Sequence, residues 1–236
     1  MPRVKKIKKD NTFRFDLNIH TPNSLSYIDL TGVDNIPAII NLAKIKEIDA
    51  ISVTDYYTCP DIDRLISAGN DRNILIIPGL MLRCKIGLCD QVLISCLFRE
   101  NTSAEKIEEF LKELEIPASA AFNENYVIEK DFGEVLKTIK KYKCICIPNN
   151  MDKTPSRQVA LEKLVEVYNF RTFDLAHYPN SINYFEKKWP RRKFKYLNFS
   201  NANALAQIGN RHSDLALDEL NFTEIKKYIN NNFKTS

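Results

Sequence analysis

The sequence predicts an α/β fold, on three observations. Short apolar runs of strand length alternate with amphipathic helical segments along the chain. Several of those helical segments open on an Asp, Ser or Thr of the kind that caps a helix. Polar residues gather just past the apolar runs, where α/β folds place their reactive groups. Repeated β-then-α units imply parallel strands, arranged as a barrel or a doubly wound sheet.

Taken in order, residues 13–19 read as the first strand. Asp34 caps a helix with Ile36, Ile39, Ile40 and Ala43 on one face. Residues 50–54 form a second strand, and a short helix follows near 61–67. A third strand, 74–77, is expected to break at Pro78-Gly79, and 92–98 is a fourth. Thr102 and Glu105 read as a capping box for a helix over 104–114. A polar stretch, 117–130, separates it from a helix that Asp131 and Glu134 start and that runs to Lys141. Residues 144–147 are a strand ending at Pro148. Ser156 is expected to cap the next helix, with 165–168 as a strand behind it. Residues 181–189 are helical in pattern, 194–199 is a strand, and Asn221 or Thr223 opens the last helix. No linker or internal repeat interrupts this pattern. A basic tail over 1–12 followed by a single domain over 13–236 is therefore expected.

Composition narrows the class. The chain has 236 residues, 44% of them hydrophobic, enough for a proper core. The formal net charge of +4 permits nucleic acid or acidic partners without demanding them. No apolar stretch reaches membrane-spanning length, and no secretory signal is visible behind the basic first ten residues. Cys59, Cys84, Cys89, Cys96, Cys144 and Cys146 lie mostly in apolar runs, as expected of buried thiols in a reducing cytoplasm. A zinc site from Cys84, Cys89, Cys144 and Cys146 lacks the usual C-x-x-C spacing.

The strand-end residues are Asn18 and His20, Asp55 and Tyr56, Met81, Asn149 and Asn150, and Asn201 and Asn203. This set is rich in amides and poor in ionisable groups. Zinc, manganese and iron sites are built from imidazoles and carboxylates. An asparagine carbonyl is a weaker ligand, Tyr56 would have to lose a proton, and the Met81 thioether suits copper or simply fills a core.

In these positions the chain resembles the PHP (polymerase and histidinol phosphatase) domain, a family of metal-dependent phosphoesterases. The family's Asp-Leu-His-x-His-Thr stands here as Asp16-Leu17-Asn18-Ile19-His20-Thr21. Its Ile-Thr-Asp-His-Asn is matched by Val53-Thr54-Asp55-Tyr56-Tyr57, and its Pro-Gly-Val-Glu-Ile by Pro78-Gly79-Leu80-Met81-Leu82. Gln91 or Leu93 takes the place of a strand His ahead of Leu97-Phe98. Asn149-Asn150-Met151-Asp152 matches Ala-His-Val-Asp. Ser200-Asn201-Ala202-Asn203, followed by Ile208-Gly209, matches Ser-Asp-Ala-His with Ile-Gly. Six matches in order cover nearly the whole chain. Residues 111–152 also resemble the subgroup whose PHP domain is joined to an AAA- or SMC-like ATPase.

The resemblance implies a distorted (β/α)7 TIM-like barrel. In active members these positions hold two or three metal ions, bridged by the Glu, that activate the attacking water. Here only His20 and Asp55 keep ligand character. Asn18, Tyr56, Met81, Leu93, Asn150, Asn201 and Asn203 are degenerate ligand positions. The resemblance therefore implies a catalytically inactive pseudo-phosphoesterase, with no cofactor, acting as an interaction or scaffold module. The expected partner is an ATPase in a nucleic-acid-related system. The alternative is a phosphoesterase or nuclease with a reduced Zn, Mn or Fe site that uses His20, Asp55 and either Asp152 or His177. A second alternative is a phosphate or nucleotide sensor built from the amides.

Plainer readings stand beside these. His20 can be a hydrogen-bonded structural histidine, Asp55 a turn cap, and the asparagines a self-satisfied cluster. His177 and His212 fall on loops. Lys187, Lys188, Trp189, Arg191, Arg192, Lys193 and Lys195 combine cations with aromatics, which suits phosphate contact and base stacking. The same run ends a helix, where Lys and Arg are favourable by themselves.

Overall fold

Phe13, Phe15 and Leu17 alternate along strand β1 (Thr12–Ile19) and are fully buried, which fixes one face of that strand against a core. In the computed structural model, which describes residues 11–21, 34–59 and 61–230, β1 lies next to one edge of a mixed six-stranded sheet. Residues 1–10 of the expected basic tail lie outside the described residues, and Thr12 already belongs to β1.

Helix α1 (Asn35–Ile45) opens where Asp34 accepts the amide of Ile36, as its sequence predicts. Strand β2 (Ala50–Val53), helix α2 (Ile62–Arg72) and strand β3 (Leu75–Ile86) follow. Strands β1, β2 and β3 pair in parallel, with Phe15 opposite Ala50 and Ala50 opposite Leu75. The fully parallel expectation fails beyond that point. Strand β4 (Cys89–Leu97) runs antiparallel to β3, and β5 (Ile145–Asn149) antiparallel to β4. Gly87, at φ +63°, turns the chain between β3 and β4 too tightly for a helical crossover. The expected break of β3 at Pro78-Gly79 is also absent. Pairing with β2 ends at Pro78, and pairing with β4 begins at Gly79. The proline's missing N–H thus falls at a change of partner, while its carbonyl still accepts the Phe98 amide at 2.7 Å.

Helix α3 (Ala104–Glu113) is capped by Ser103 rather than Thr102, and α5 (Pro155–Glu166) by Thr154 rather than Ser156. Pro155, at the first helical position, sets the second of these starts. Between them α4 (Phe132–Lys141) starts as predicted, with the Asp131 carboxylate on the Gly133 amide. Residues 165–168 are not a strand. Val165 is fully buried on the last turn of α5, alongside Leu161 and Leu164. The strand comes later, as β6 (Thr172–Asp174), parallel to β7 (Lys195–Leu197) across helix α6 (Ile182–Lys188). Strand β8 (Ser213–Ala216), which the pattern reading did not include, runs antiparallel to β1. Helix α7 (Phe222–Asn230) ends the described chain.

The six-stranded sheet has the order β5-β4-β3-β2-β1-β8, and β6-β7 form a separate pair. The sheet curls, so that Phe15 and Leu17 from β1, Ile77 from β3, Leu97 from β4, Ile147 from β5 and Leu197 from β7 meet in one cluster. Phe222, Ile225 and Ile229 of α7 pack into the same cluster. Helices α1 to α6 contribute to a second, larger core. No helix among the described residues is long and apolar enough to cross a membrane.

Candidate functional site

The carboxyl ends of β1, β2 and β5 converge with the middle of β3 and the segment after β7, and the expected site residues gather there; Met81, expected at a strand end, instead lies inside β3, bridged to Tyr56. The Asp16 carboxylate reaches the far end of the sequence, accepting the Ser200 amide at 3.0 Å and the Gly209 amide at 2.9 Å. It is thereby a clamp between β1 and the segment after β7. Burial lifts its pKa from 3.8 to about 6, against the pull of those hydrogen bonds. The clamp brings Asn201 over β1. Ile19 bridges to Ala202, and the His20 amide donates to the Ala202 carbonyl at 2.9 Å.

Three asparagines then join. The Asn201 Oδ1 accepts from Asn18 Nδ2 at 3.2 Å and from Asn150 Nδ2 at 3.4 Å. The Asn18 Oδ1 in turn accepts the Thr54 hydroxyl at 3.0 Å. Both Asn150 and Asn201 adopt left-handed backbone, at φ 49° and 50°, a conformation asparagine tolerates better than most residues. Deeper in the curl, Asn149 Nδ2 donates to Ser95 Oγ at 2.7 Å and to the Ile147 carbonyl at 2.9 Å, and lies 3.7 Å from Met81 Sδ. Asn203 sits at the rim, its amide bonded to Gln207. Leu93 is buried between Arg83 and Asn149 in the strand register and carries no polar atom into the site.

His20 and Asp55 are brought together, with His20 Nδ1 3.8 Å from Asp55 Oδ1. Yet both Asp55 oxygens already accept from Thr21, one from its amide at 2.8 Å and one from its hydroxyl. Burial raises the Asp55 pKa to about 6 and lowers that of His20 to about 4, which keeps the imidazole neutral at physiological pH. Its Nδ1 is buried without a hydrogen-bond partner, and its ring lies parallel to Tyr56 at 5.7 Å between centroids. Burial likewise raises the Tyr56 phenol, whose ionised form would be needed to bind a metal.

The donor set does not fit a two- or three-metal centre. Three of its amides are engaged with one another, Met81 offers a thioether, Leu93 offers nothing, and the carboxylate of Asp55 is committed to Thr21. Among the described residues no three His, Cys, Asp or Glu side chains are grouped to hold a metal. Cys84, Cys89, Cys144 and Cys146 are free thiols and form no such group. Asp152 is also committed, accepting the Ala176 and His177 amides at 2.7 and 2.8 Å and the Ser181 hydroxyl at 2.6 Å. His177 itself is exposed, and His212 contacts the Gly209 carbonyl at 3.3 Å.

In the basic run, Trp189 turns inward, packs near Phe185 and Phe194, and donates to Glu166 Oε1 at 2.6 Å. Arg192 pairs with the same Glu166, Lys188 with Glu162, and Lys195 reaches the Tyr228 carbonyl. Lys187, Arg191 and Lys193 are exposed. Two cations that pattern reading did not single out lie at the site's edge: Arg83, on the same strand as Met81, and Arg157, in the first turn of α5. The two-residue spacing of Met81 and Arg83 on one strand is the signal that could have found the first.

No protein-family model matches the chain, and no curated protein matches it. Solved structures do. The lesion-specific endonuclease PfuEndoQ from Pyrococcus furiosus matches 92% of this chain at a TM-score of 0.68 and 14% identity. A two-domain protein from Bacteroides vulgatus, with a region assigned as a PHP-like metal-dependent phosphoesterase, matches 97% at 0.60 and 15%. A protein from Bifidobacterium adolescentis, assigned as a metal-dependent phosphoesterase, matches 80% at 0.54 and 9%. The chain spans 56% of the first protein and 66% of the second. At such identities the likeness establishes a PHP-like fold.

Proposed function

We propose that this chain is a PHP-type domain whose metal layer has been replaced by an amide layer, and that it serves as a non-hydrolytic interaction module. The observation that carries this reading is the Asn201 side chain, whose carbonyl holds Asn18 and Asn150 together where the family resemblance places ligands. A neutral, internally bonded layer has little free lone-pair capacity for a cation and no means of lowering the pKa of water. The Ile19–Ala202 bridge on one side, and the Met151 amide on the Asp174 carbonyl at 3.4 Å on the other, support closure of the sheet and the β6-β7 pair into the distorted (β/α)7 barrel. The proposed partner is an AAA- or SMC-like ATPase acting on nucleic acid, supported by the resemblance of residues 111–152.

Metal analysis of protein purified without chelator tests the reading. The expected result is zinc, manganese and iron well below one ion per chain. One or more tightly held ions per chain refutes it.

The descriptions of the structural neighbours favour a second reading in kind: a metal-dependent phosphoesterase or nuclease working through His20 and Asp55. It requires activity on phosphodiesters with added Mn²⁺ that collapses in both His20→Ala and Asp55→Ala.

A further inference from the structure

Two guanidinium groups stand beside the Met81 and Asn150 positions, and neither has an acidic partner among the described residues. Arg83 is two residues beyond Met81 on β3, so both side chains leave the same face of the strand. Its strand neighbours across the sheet are Leu93 and then Asn149. The Arg83 Nε is buried and has no hydrogen-bond partner. Arg157 comes from α5 and is only 8% exposed, a rare setting for an arginine. Its Nε donates to the Gln91 carbonyl at 2.9 Å and one Nη to the Asn150 carbonyl at 3.4 Å. These bonds aim the group without neutralising it.

Both cations oppose the upward push of burial on the Tyr56 phenol, and burial together with the neighbouring Arg83 lowers the Arg157 pKa. Glu124 also lies near Tyr56, but among the described residues neither arginine forms an ion pair with it or with any other carboxylate. Holding a buried cation near a second, half-buried one is costly unless something anionic completes the arrangement.

We propose that Arg83, Arg157 and the Tyr56 hydroxyl form a metal-independent site for a tetrahedral oxyanion, either free phosphate or the phosphoryl group of an ester. Guanidinium groups match such oxygens with paired, charge-assisted hydrogen bonds. The asparagine layer offers no group to activate water, both Asp55 oxygens are bonded to Thr21, and burial leaves His20 a weak base, so the anion is held and not turned over. This deepens the non-hydrolytic reading of the same region and rests on it.

Calorimetric titration of chelator-treated protein, with its metal content measured, tests the site using inorganic phosphate in one arm and phenyl phosphate in the other. Saturable binding is expected in at least one arm, and the tighter arm identifies free anion or ester. Arg83→Gln should weaken it by roughly tenfold or more, with thermal stability in the absence of phosphate retained. Lys137→Ala, an exposed change elsewhere, should bind as the parent does. Equal affinity in the parent and Arg83→Gln, or no binding by metal-free protein, overturns the site alone. Binding that appears only after Mn²⁺ is added overturns both the site and the non-hydrolytic reading. Turnover of phenyl phosphate by metal-free protein overturns retention of the anion.

Discussion

Asp174 offers a direct test of how burial at the strand ends is compensated. Its Oδ1 accepts the Phe199 amide at 3.0 Å, while its Oδ2 is buried without a partner. Burial lifts its pKa from 3.8 to about 7. The Phe199 amide and Arg211 oppose that rise, and Asp16 and Asp152 add to it. The native chain therefore holds this proton more tightly than the unfolded chain does. The resulting stabilisation is complete below pH 3.8 and is lost as the pH climbs through about 7. An interval of about three pH units at about 1.36 kcal/mol each corresponds to about 4 kcal/mol in all. Asp174→Asn keeps an acceptor for Phe199 and cannot ionise. Urea unfolding of both proteins at steps from about pH 5 to 8 should show the parent losing stability faster as pH rises, by about 3 kcal/mol more than the variant. Removing the Asp174 charge also relieves Asp16, which flattens the variant's profile further. Parallel stability profiles for the two proteins would refute the reasoning, because a solvated or well-paired carboxylate gives no such difference.

Two further substitutions test the packing of the site. Asn18→Ala strands the Thr54 hydroxyl and takes one donor from Asn201. It should cost about 2–3 kcal/mol and lower Tm by about 4–12 °C, read by circular dichroism. Gly79→Ala places a methyl group 2.5 Å from Ser52 Oγ, 2.9 Å from Leu97 Cδ2 and 3.1 Å from the Val53 carbonyl. The inside of the curl has no room for it, so about 1–3 kcal/mol or more should be lost in urea titration; an unchanged midpoint would mean that β2 and β4 separate easily there.

Local signals carried most of the elements. Asp34 and Asp131 announced α1 and α4 because an N-cap is a contact within a few residues. Where pattern reading failed, the deciding contact was remote or two structures shared one pattern. The β-branched pair Val165 and Val167 resembles a strand, yet Val165 completes the buried face of α5. Pro78 looked like a terminator because nothing local reveals that β3 changes partner there. Strand β8 is four residues long with alternate side chains exposed, too short and polar to register until β1 pairs with it. The antiparallel turn was legible in principle, since Gly87 sits in a connection too short for a crossover.

That Asn18, His20, Asp55, Asn150 and Asn201 gather in one place was legible, but their bonding was not. Asp16 reads in sequence as part of a ligand motif, whereas its carboxylate bonds the Ser200 and Gly209 amides on the far side of the chain. This gives the motif frame a structural use independent of metal: the opening Asp and the closing Ser and Gly hold β1 to the segment after β7. The amides follow from the same physics. A layer of carboxylates and imidazoles at this depth is tolerable when cations neutralise it, and costly otherwise. Asparagine has a donor and an acceptor on one short side chain, so Asn18, Asn150 and Asn201 can satisfy each other at zero net charge. His20 and Asp55 obey the same constraint, since His20 is held neutral and Asp55 is bonded through both oxygens to Thr21. The three asparagines are coupled through their bonds and form one layer, in which a change at Asn201 would release both Asn18 and Asn150.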